Sequence, residues 1–529
     1  MASPSVLIVG AGPVGLTAAL ALQQGGVPAG DILVADQRPT RDLSHTWSKA
    51  LSCSASSLEV FRILGIADRF MNFGIAMHKT HFGAGSRLLD LSYDVLGTRY
   101  PFNMYIPQVR TESVLLERCE EVGIAFAWGR RFVGLTQTGE EVSATFKVGD
   151  GEEIETIRTS WLIGCDGTGS AVRQAAGIAF EGPRATRYNW FADGHADEDA
   201  PTIKSVTTEG GRAMMFATGD GKTGRRIAGC TPPSEIVAGQ RPVAPDLEFI
   251  RDWAAHHFGS HYNFRDVNWR TVIGNGMRFA ESFRSGRVFI AGDAAHQLYP
   301  AGGQGMNTGL LDATNLAWKL TMVITGKTGT NTEVVERVLD SYTKERLAAV
   351  QAVRHNVEMQ QVSIFETTDR DKAVADFIAE ALDEPALNQR WARRVCGFAD
   401  PVEPYQLAGL GLGEEMVGTR VTHVSDSNSD DMLDAAKHNI FIVGFVAGSV
   451  FADENHPSLE QVVRSSNRPD QVRILDKVLQ PTSPKWKGIT AVLIRPDLRI
   501  AWVAREGSNV TTTQESFTRV LEWWVGGSS

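Results

Sequence analysis

The stretch Gly292-Asp293-Ala294-Ala295-His296, followed by Pro300-Ala301-Gly302-Gly303-Gln304-Gly305-Met306-Asn307-Thr308-Gly309, decides the fold. Val288-Phe289-Ile290-Ala291 precedes it, a short apolar run of the kind a buried parallel strand needs. Leu310 to Leu320 follows it, apolar at helical spacing. The stretch therefore leaves a strand tip, crosses a glycine-rich loop and opens a helix. A carboxylate at the strand tip, Asp293, can accept hydrogen bonds from sugar hydroxyls. The first turn of the helix leaves amide N–H groups unbonded at the positive end of the dipole, where they can hold developing negative charge. The glycines let a flat ring approach the backbone closely.

The N-terminus carries a second pattern of the same type. Val6-Leu7-Ile8-Val9 reads as a buried strand, Gly10-Ala11-Gly12-Pro13-Val14-Gly15 as a tight turn, and Leu16 to Gln24 as a helix. A strand from Asp31 to Ala35 ends in Asp36, followed by Gln37 and Arg38. Strand, GxGxxG, helix, strand and an acid about 20 residues on form the dinucleotide fingerprint, with pyrophosphate on the helix N-terminus and the acid on an adenosine ribose. FAD and NAD both fit that fingerprint. An NAD-dependent dehydrogenase, however, leaves the 292–309 stretch without purpose. A reduced flavin has the flat ring and the negative pyrimidine edge which that stretch suits.

Three further pieces suit the same cofactor. Trp161-Leu162-Ile163-Gly164-Cys165-Asp166-Gly167 places another acid at a strand tip before a short helix from Ser170 to Ala176. Gln108 opens a helix that ends near Gly123, where it could bond a flavin edge. Lys49 and Arg38 are cations close in sequence to the pyrophosphate turn.

Composition narrows the class. The 529 residues are 43% hydrophobic and 22% charged, with a formal net charge of -10. That is globular composition with room for two to four domains. The absence of a basic run argues against a nucleic-acid partner. Cys53, Cys119, Cys165, Cys230 and Cys396 are scattered without metal spacing, as in a reduced cytoplasmic protein. No metal site is expected. The apolar runs Val6–Leu22 and Ile440–Ala452 are too interrupted or too short for a signal peptide or a membrane span.

Together these motifs resemble the group A flavoprotein monooxygenases, the aromatic hydroxylases of the phenol hydroxylase and polyketide-tailoring type. The residues that carry the resemblance are Gly10 to Gly15 with Asp36 and Arg38; Lys49-Ala50; Pro107-Gln108 with Glu112; Gly164 to Gly167 with Arg173; and Gly292 to Asn307, running on to Asp312-Ala313-Thr314-Asn315 and Lys319-Leu320. Leu339-Asp340-Ser341-Tyr342 with Glu345-Arg346 also fits. The resemblance implies an α/β fold: a Rossmann-type FAD-binding domain, an inserted mixed β-sheet substrate domain like that of p-hydroxybenzoate hydroxylase, and a C-terminal thioredoxin-like domain. Arg420-Val421-Thr422-His423 and Leu493 to Asp497 with Ala501-Trp502 carry the last match. That module lacks cysteine and cannot run thiol–disulfide chemistry. The expected boundaries are 1–75, 106–180 and 280–400 for FAD, 76–105 and 181–279 for substrate, and 410–529 for the terminal module, after the glycine-rich linker Leu407 to Gly413.

The resemblance further implies NADPH as reductant and transfer of one oxygen atom of O2, through a flavin C4a-hydroperoxide, to a phenolic or polycyclic aromatic ring. By the same route Asp293 holds the ribityl chain, Asp36 the adenosine ribose, and the backbone of Gly303, Gln304, Gly305, Met306 and Asn307 the reduced flavin. Pro300 flanks the ring, and Asp166 belongs to a motif linked to FAD and NADPH. Lys49 stands where the family often has arginine, losing the bidentate fork. Leu51 stands where phenol hydroxylases place an aspartate that activates the phenol. Another base is therefore needed if the substrate is not itself acidic. His45, His78, His81, Tyr105 and Tyr299 are the candidates, and Arg226 is a candidate to approach the flavin. The same fold supports dearomatisation, epoxidation and Baeyer–Villiger oxidation. The reactive-lysine and Trp-x-Trp-x-Ile-Pro signature of flavin halogenases is not found in the sequence. A non-catalytic flavoprotein is disfavoured by the intact cofactor motifs. A homodimer is an open expectation.

Overall fold

A computed structural model describes residues 3–43, 50–84, 87–218, 222–398, 416–421, 426–446, 463, 469–475, 478–480, 484–508 and 510–526. His45, Lys49, His423 and the 407–413 segment lie outside the described residues, as does the side chain of His81.

The central sheet has six strands, in the order Arg284–Ser285, Val288–Ile290, Trp161–Gly164, Val6–Val9, Ile32–Asp36 and Ala125–Trp128. All pairings are parallel except that of the first two strands. Val9 is level with both Ala35 and Gly164, and Gly164 with Ile290. The carboxyl ends of four strands therefore share one edge. Asp36, Asp166 and Asp293 all emerge there, the edge where ligands bind in open α/β sheets. Val6, Leu7, Ile8, Leu162, Ile163 and Phe289 are fully buried, as a sheet covered on both faces requires.

Helix Pro13–Gly25 packs on helix Gln304–Ile324, with Gly25 against Thr321. Beyond it a single helix, Thr332–Ile364, runs for 33 residues. Its N-cap is Asn331, whose side chain accepts the Glu333 N–H.

The insertion between the Asp166 motif and the central motif forms a second sheet. Its order is Ile203–Thr208, Gly211–Ala217, Gly224–Cys230, Tyr188–His195 and Arg265–Gly274. Every pairing is antiparallel, which corrects the expectation of a mixed sheet. The two-residue turn at 209–210 is far too short for a parallel crossover. One face is buried: Tyr188, Trp190, Ala192, Ala213, Met215, Ile227 and Val272 pack on Ile250, Ala254 and Phe258 of helix Leu247–Phe258. Among the described residues the hairpin Lys79–Ala84/Arg87–Ser92 pairs with itself alone and packs on helices Asp369–Asp383 and Pro385–Val395. Those two helices had no counterpart in the sequence reading.

The terminal module is a four-stranded sheet, in the order Val472–Ile474, Phe441–Phe445, Ile489–Ile494 and Ile500–Arg505, closed by helix Val510–Val525. Its core is continuous with the large domain. Phe441, Trp502, Phe517 and Trp524 share one buried cluster with Trp318, Met322, Val334 and Val338. Among the described residues no helix is long and apolar enough to cross a membrane.

Candidate active site

The N-terminal turn is built by close backbone approach. A Cβ on Gly15 would stand 2.0 Å from the Gly10 carbonyl oxygen, and one on Gly10 would stand 2.4 Å from that of Cys165. A Cβ on Gly12 would meet nothing within 4 Å, so this glycine faces open space. The helix behind it has no side-chain cap, which leaves its first amides open to an anion. Asp36 is tied into the turn. Its Oδ2 accepts the Ala11 N–H at 2.6 Å and its Oδ1 the Arg38 N–H at 2.8 Å. The Arg38 guanidinium reaches Asp36 at 3.1 Å, Glu112 at 3.2 Å and the Ala11 carbonyl at 2.6 Å. Gln37 is exposed beside it. Gln108 donates to Glu112 at 2.8 Å and accepts the Ala50 N–H at 3.2 Å. Burial raises the Glu112 pKa, while Gln108 and Arg38 oppose the rise. One hydrogen-bonded chain thus runs from the N-terminal turn to Ala50.

Ser170 caps the short helix Ala171–Ala175, and Asp166 supports that cap. It accepts the Ser170 hydroxyl at 2.5 Å and the Val172 N–H at 3.1 Å, and burial raises its pKa. Arg173 lies 3.7 Å over the Phe180 ring and donates to the Ala294 carbonyl at 2.8 Å. The second acid motif and the central motif are therefore welded together.

In the central loop Gly302 and Gly303 adopt φ of 69° and 64°, backbone that favours glycine. Helix Gln304–Ile324 starts without a side-chain cap, and a Cβ on Gly305 would meet nothing within 4 Å. Asp293 is exposed and makes no hydrogen bond among the described residues, and Pro300 is exposed. Met306 is half-buried against the main core. Open amides, an unengaged carboxylate and two glycine faces that meet nothing fit a flat, sugar-bearing, diphosphate cofactor. The side chains of Gln304 and Asn307 turn elsewhere. Gln304 donates to Ala301 at 3.2 Å and accepts from Asn356 at 2.8 Å. Asn307 accepts the Ser54 N–H at 2.8 Å and the Ser57 hydroxyl at 2.7 Å, and donates to Ser52 and Gly303. Only their backbones can serve a cofactor.

Behind the loop lies a group whose members the sequence placed in the motifs without assigning them a role. Asp312 is fully buried. Its Oδ2 accepts from His296 Nε2 at 2.6 Å and from the Gly292 N–H at 3.0 Å, and its Oδ1 accepts from Arg346 Nε at 2.6 Å. Arg346 and His296 outweigh desolvation and lower the Asp312 pKa. The available signal was a lone acid amid the apolar residues 310–320.

The second sheet faces this loop. Tyr299 donates to Asn189 Oδ1 at 2.5 Å, and Asn189 donates to Cys230 Sγ at 2.8 Å. Burial raises the Tyr299 phenol well above its ordinary value and pushes the Cys230 thiol to about 12. Tyr299 is thus held as a hydrogen-bond donor to the second sheet. Residues alternate along strands, so the Asn189 face also carries Phe191, Met214, Phe216, Ala228, Trp269 and Thr271. Arg226 lies on this face, paired with Asp193 at 2.5 and 2.6 Å and 5.0 Å from the Trp269 ring. Asp193 and Trp269 thus hold the guanidinium on the sheet face. Arg212 on the same face pairs with Glu366 at 3.3 Å. His78 sits outside, largely exposed, 3.8 Å from Asp94. Tyr105 stands opposite Ser52, the residue whose carbonyl Asn307 holds.

The family described as FAD binding domain matches residues 3–357. The rifampicin monooxygenase of Streptomyces venezuelae is 29% identical over 520 residues, 98% of each chain. The pentachlorophenol 4-monooxygenase of Sphingobium chlorophenolicum is 32% identical over 405 residues, 75% of this chain and 71% of that one. The crystal structure of CabE, an aromatic hydroxylase from angucycline biosynthesis, superposes with a TM-score of 0.80 at 27% identity and covers both chains fully.

Proposed function

Since this chain belongs to the FAD binding domain family, we propose that it is an FAD-dependent, NADPH-consuming monooxygenase placing one oxygen atom of O2 on a polycyclic phenolic substrate. Bound FAD, once reduced, supplies the oxygen activation. The chain supplies binding, orientation and exclusion of water. Gly12 leaves room for the pyrophosphate on a turn that Gly10 and Gly15 close, Asp36 and Arg38 take the adenosine end, and Asp293 the ribityl hydroxyls. The amides from Gly305 to Asn307 stabilise charge on the reduced ring. Gln108 and Lys49 flank the same cofactor, and Asp166 with Arg173 braces the loop.

The observation that carries the substrate class is the sheet face over that loop. Phe191, Met214, Phe216 and Trp269 make it broad and apolar, and both of its named arginines are matched by carboxylates. Such a wall suits a flat multi-ring compound better than a small carboxylate, which would need an unneutralised cation. The reading extends to work in the cytoplasm, to a thioredoxin-like terminal module and to a homodimer. The test is purification with FAD, then NADPH oxidation against paired panels of polycyclic phenols and one-ring hydroxybenzoates. Stimulation by the polycyclic panel supports the reading, and stimulation by hydroxybenzoates alone overturns the substrate class.

A further inference from the structure

The terminal module touches the large domain through a buried charge cluster. Glu345, on the long helix, receives both Arg495 Nη atoms at 2.8 Å, Asn315 Nδ2 at 2.7 Å and Lys319 Nζ at 3.1 Å. Arg495 also grips Asp497, at 2.9 and 2.5 Å, and its guanidinium lies 5.1 Å from Trp318 and 5.0 Å from Trp524. Glu345, Lys319 and Arg495 are all at most 3% exposed. A dry, bidentate, aromatic-flanked fork fixes direction as well as distance.

The next residue on the long helix is Arg346. It holds Asp312 at 2.6 Å and the Thr308 carbonyl at 3.3 Å, and Asp312 holds the Gly292 N–H and His296. Gly292 and Thr308 bracket the flavin loop. A shift of the long helix at Glu345 must carry Arg346 with it, because the two are consecutive on one rigid helix.

We propose that Arg495 is a positioning residue for FAD: the terminal module sets the geometry of the 292–308 loop through Glu345, Arg346 and Asp312. The module is then part of the cofactor site without touching it. This rests on the FAD reading but not on the substrate, so the readout is cofactor binding instead of turnover.

The test titrates apoprotein with FAD, following flavin fluorescence, the visible spectrum of the bound flavin and far-UV circular dichroism. Arg495→Met keeps the stem and deletes the fork, and Arg495→Met/Glu345→Met removes both partners so that neither leaves a lone buried charge. Arg473→Ala, which breaks an exposed pair with Asp434 in the same module, is the control. The expected result is an FAD Kd raised tenfold or more and a shifted flavin spectrum in both Arg495 variants, partial rescue in Arg495→Lys, and no change in the control. If Arg495→Met fails to fold, the double variant decides. Folded Arg495 variants with unchanged FAD affinity and spectrum would overturn the proposal. Failure of the unaltered chain to bind FAD would instead overturn the cofactor reading beneath it.

Discussion

The Tyr299 hydroxyl donates a 2.5 Å hydrogen bond to Asn189 Oδ1, joining the residue before Pro300 to the face of the second sheet that carries Phe191 and Phe216. Both residues are buried. The bond spans 110 positions and ties the 292–308 loop to the second sheet. Tyr299→Phe leaves Asn189 short of one partner, at a cost of about 1–3 kcal/mol for an unsatisfied buried group. The larger expected effect is on coupling. A wall free to move lets water in, so the variant should convert more NADPH to hydrogen peroxide per product formed. Its pH–rate profile should match that of the unaltered enzyme, because a phenol held well above its ordinary pKa does not titrate in the working range. A rise in rate with increasing pH that is present in the unaltered enzyme and lost in Tyr299→Phe would assign Tyr299 as a base.

Gly15 tests the cofactor turn. A Cβ there meets the Gly10 carbonyl oxygen at 2.0 Å, and neither backbone can yield without opening the turn. Gly15→Ala should abolish FAD retention through purification. Gly12→Ala should be milder for folding, since its Cβ meets no protein atom within 4 Å, while still blocking the pyrophosphate. Folded protein with FAD weakened in Gly12→Ala is the expected pattern, checked by flavin absorbance and melting.

Asp312→Asn removes the charge that holds Arg346 and His296 in a dry site. Losing one partner of a buried ion pair costs about 3–5 kcal/mol. Melting should fall accordingly, and retained FAD should fall with it.

Lys319 carries the pH prediction. Burial lowers its pKa from 10.5 to about 7, with Glu345 and Asp497 opposing the shift and Arg495 assisting it. Lys319, Arg495 and Arg499 face Glu345 and Asp497, so the cluster holds one cation in excess and Lys319 is the group able to shed a proton. Its folded pKa lies below its unfolded one. Between about pH 7 and 10.5 the unfolded chain therefore binds the extra proton, and stability rises with pH. Below pH 7 the cost of the buried ammonium is fully felt. Lys319→Met should flatten the rise in melting temperature over that window. An equal slope in both proteins would contradict the assignment.

Arg226→Met should destabilise the second sheet by stranding Asp193, and Arg226→Met/Asp193→Leu should recover much of the loss. Neither should change FAD affinity, because Arg226 spends its guanidinium on Asp193 and Trp269. A changed flavin spectrum in the double variant would return Arg226 to the flavin.

What could be read from the sequence was local. Gly10 to Asp36 and Gly292 to Asn307 each declare strand, turn and helix within one short segment, so the sheet edge and its three acids were visible. Interactions between distant segments were not. Glu345 and Arg495 are 150 positions apart, and Asn307 and Ser54 253. No periodicity links such pairs. The second sheet was misread as mixed because glycines interrupt its alternation. Arg212 and Arg226 showed as cations in the sequence, but only the fold supplies Glu366 and Asp193.

The most direct test of the central claim is the mass of product formed under 18O2 by the FAD-loaded enzyme with NADPH and a polycyclic phenol. The account predicts a product heavier by one 18O atom, formed with NADPH consumption that the phenol accelerates. Tightly bound FAD with no labelled product and no phenol-stimulated NADPH oxidation across the panel would contradict it.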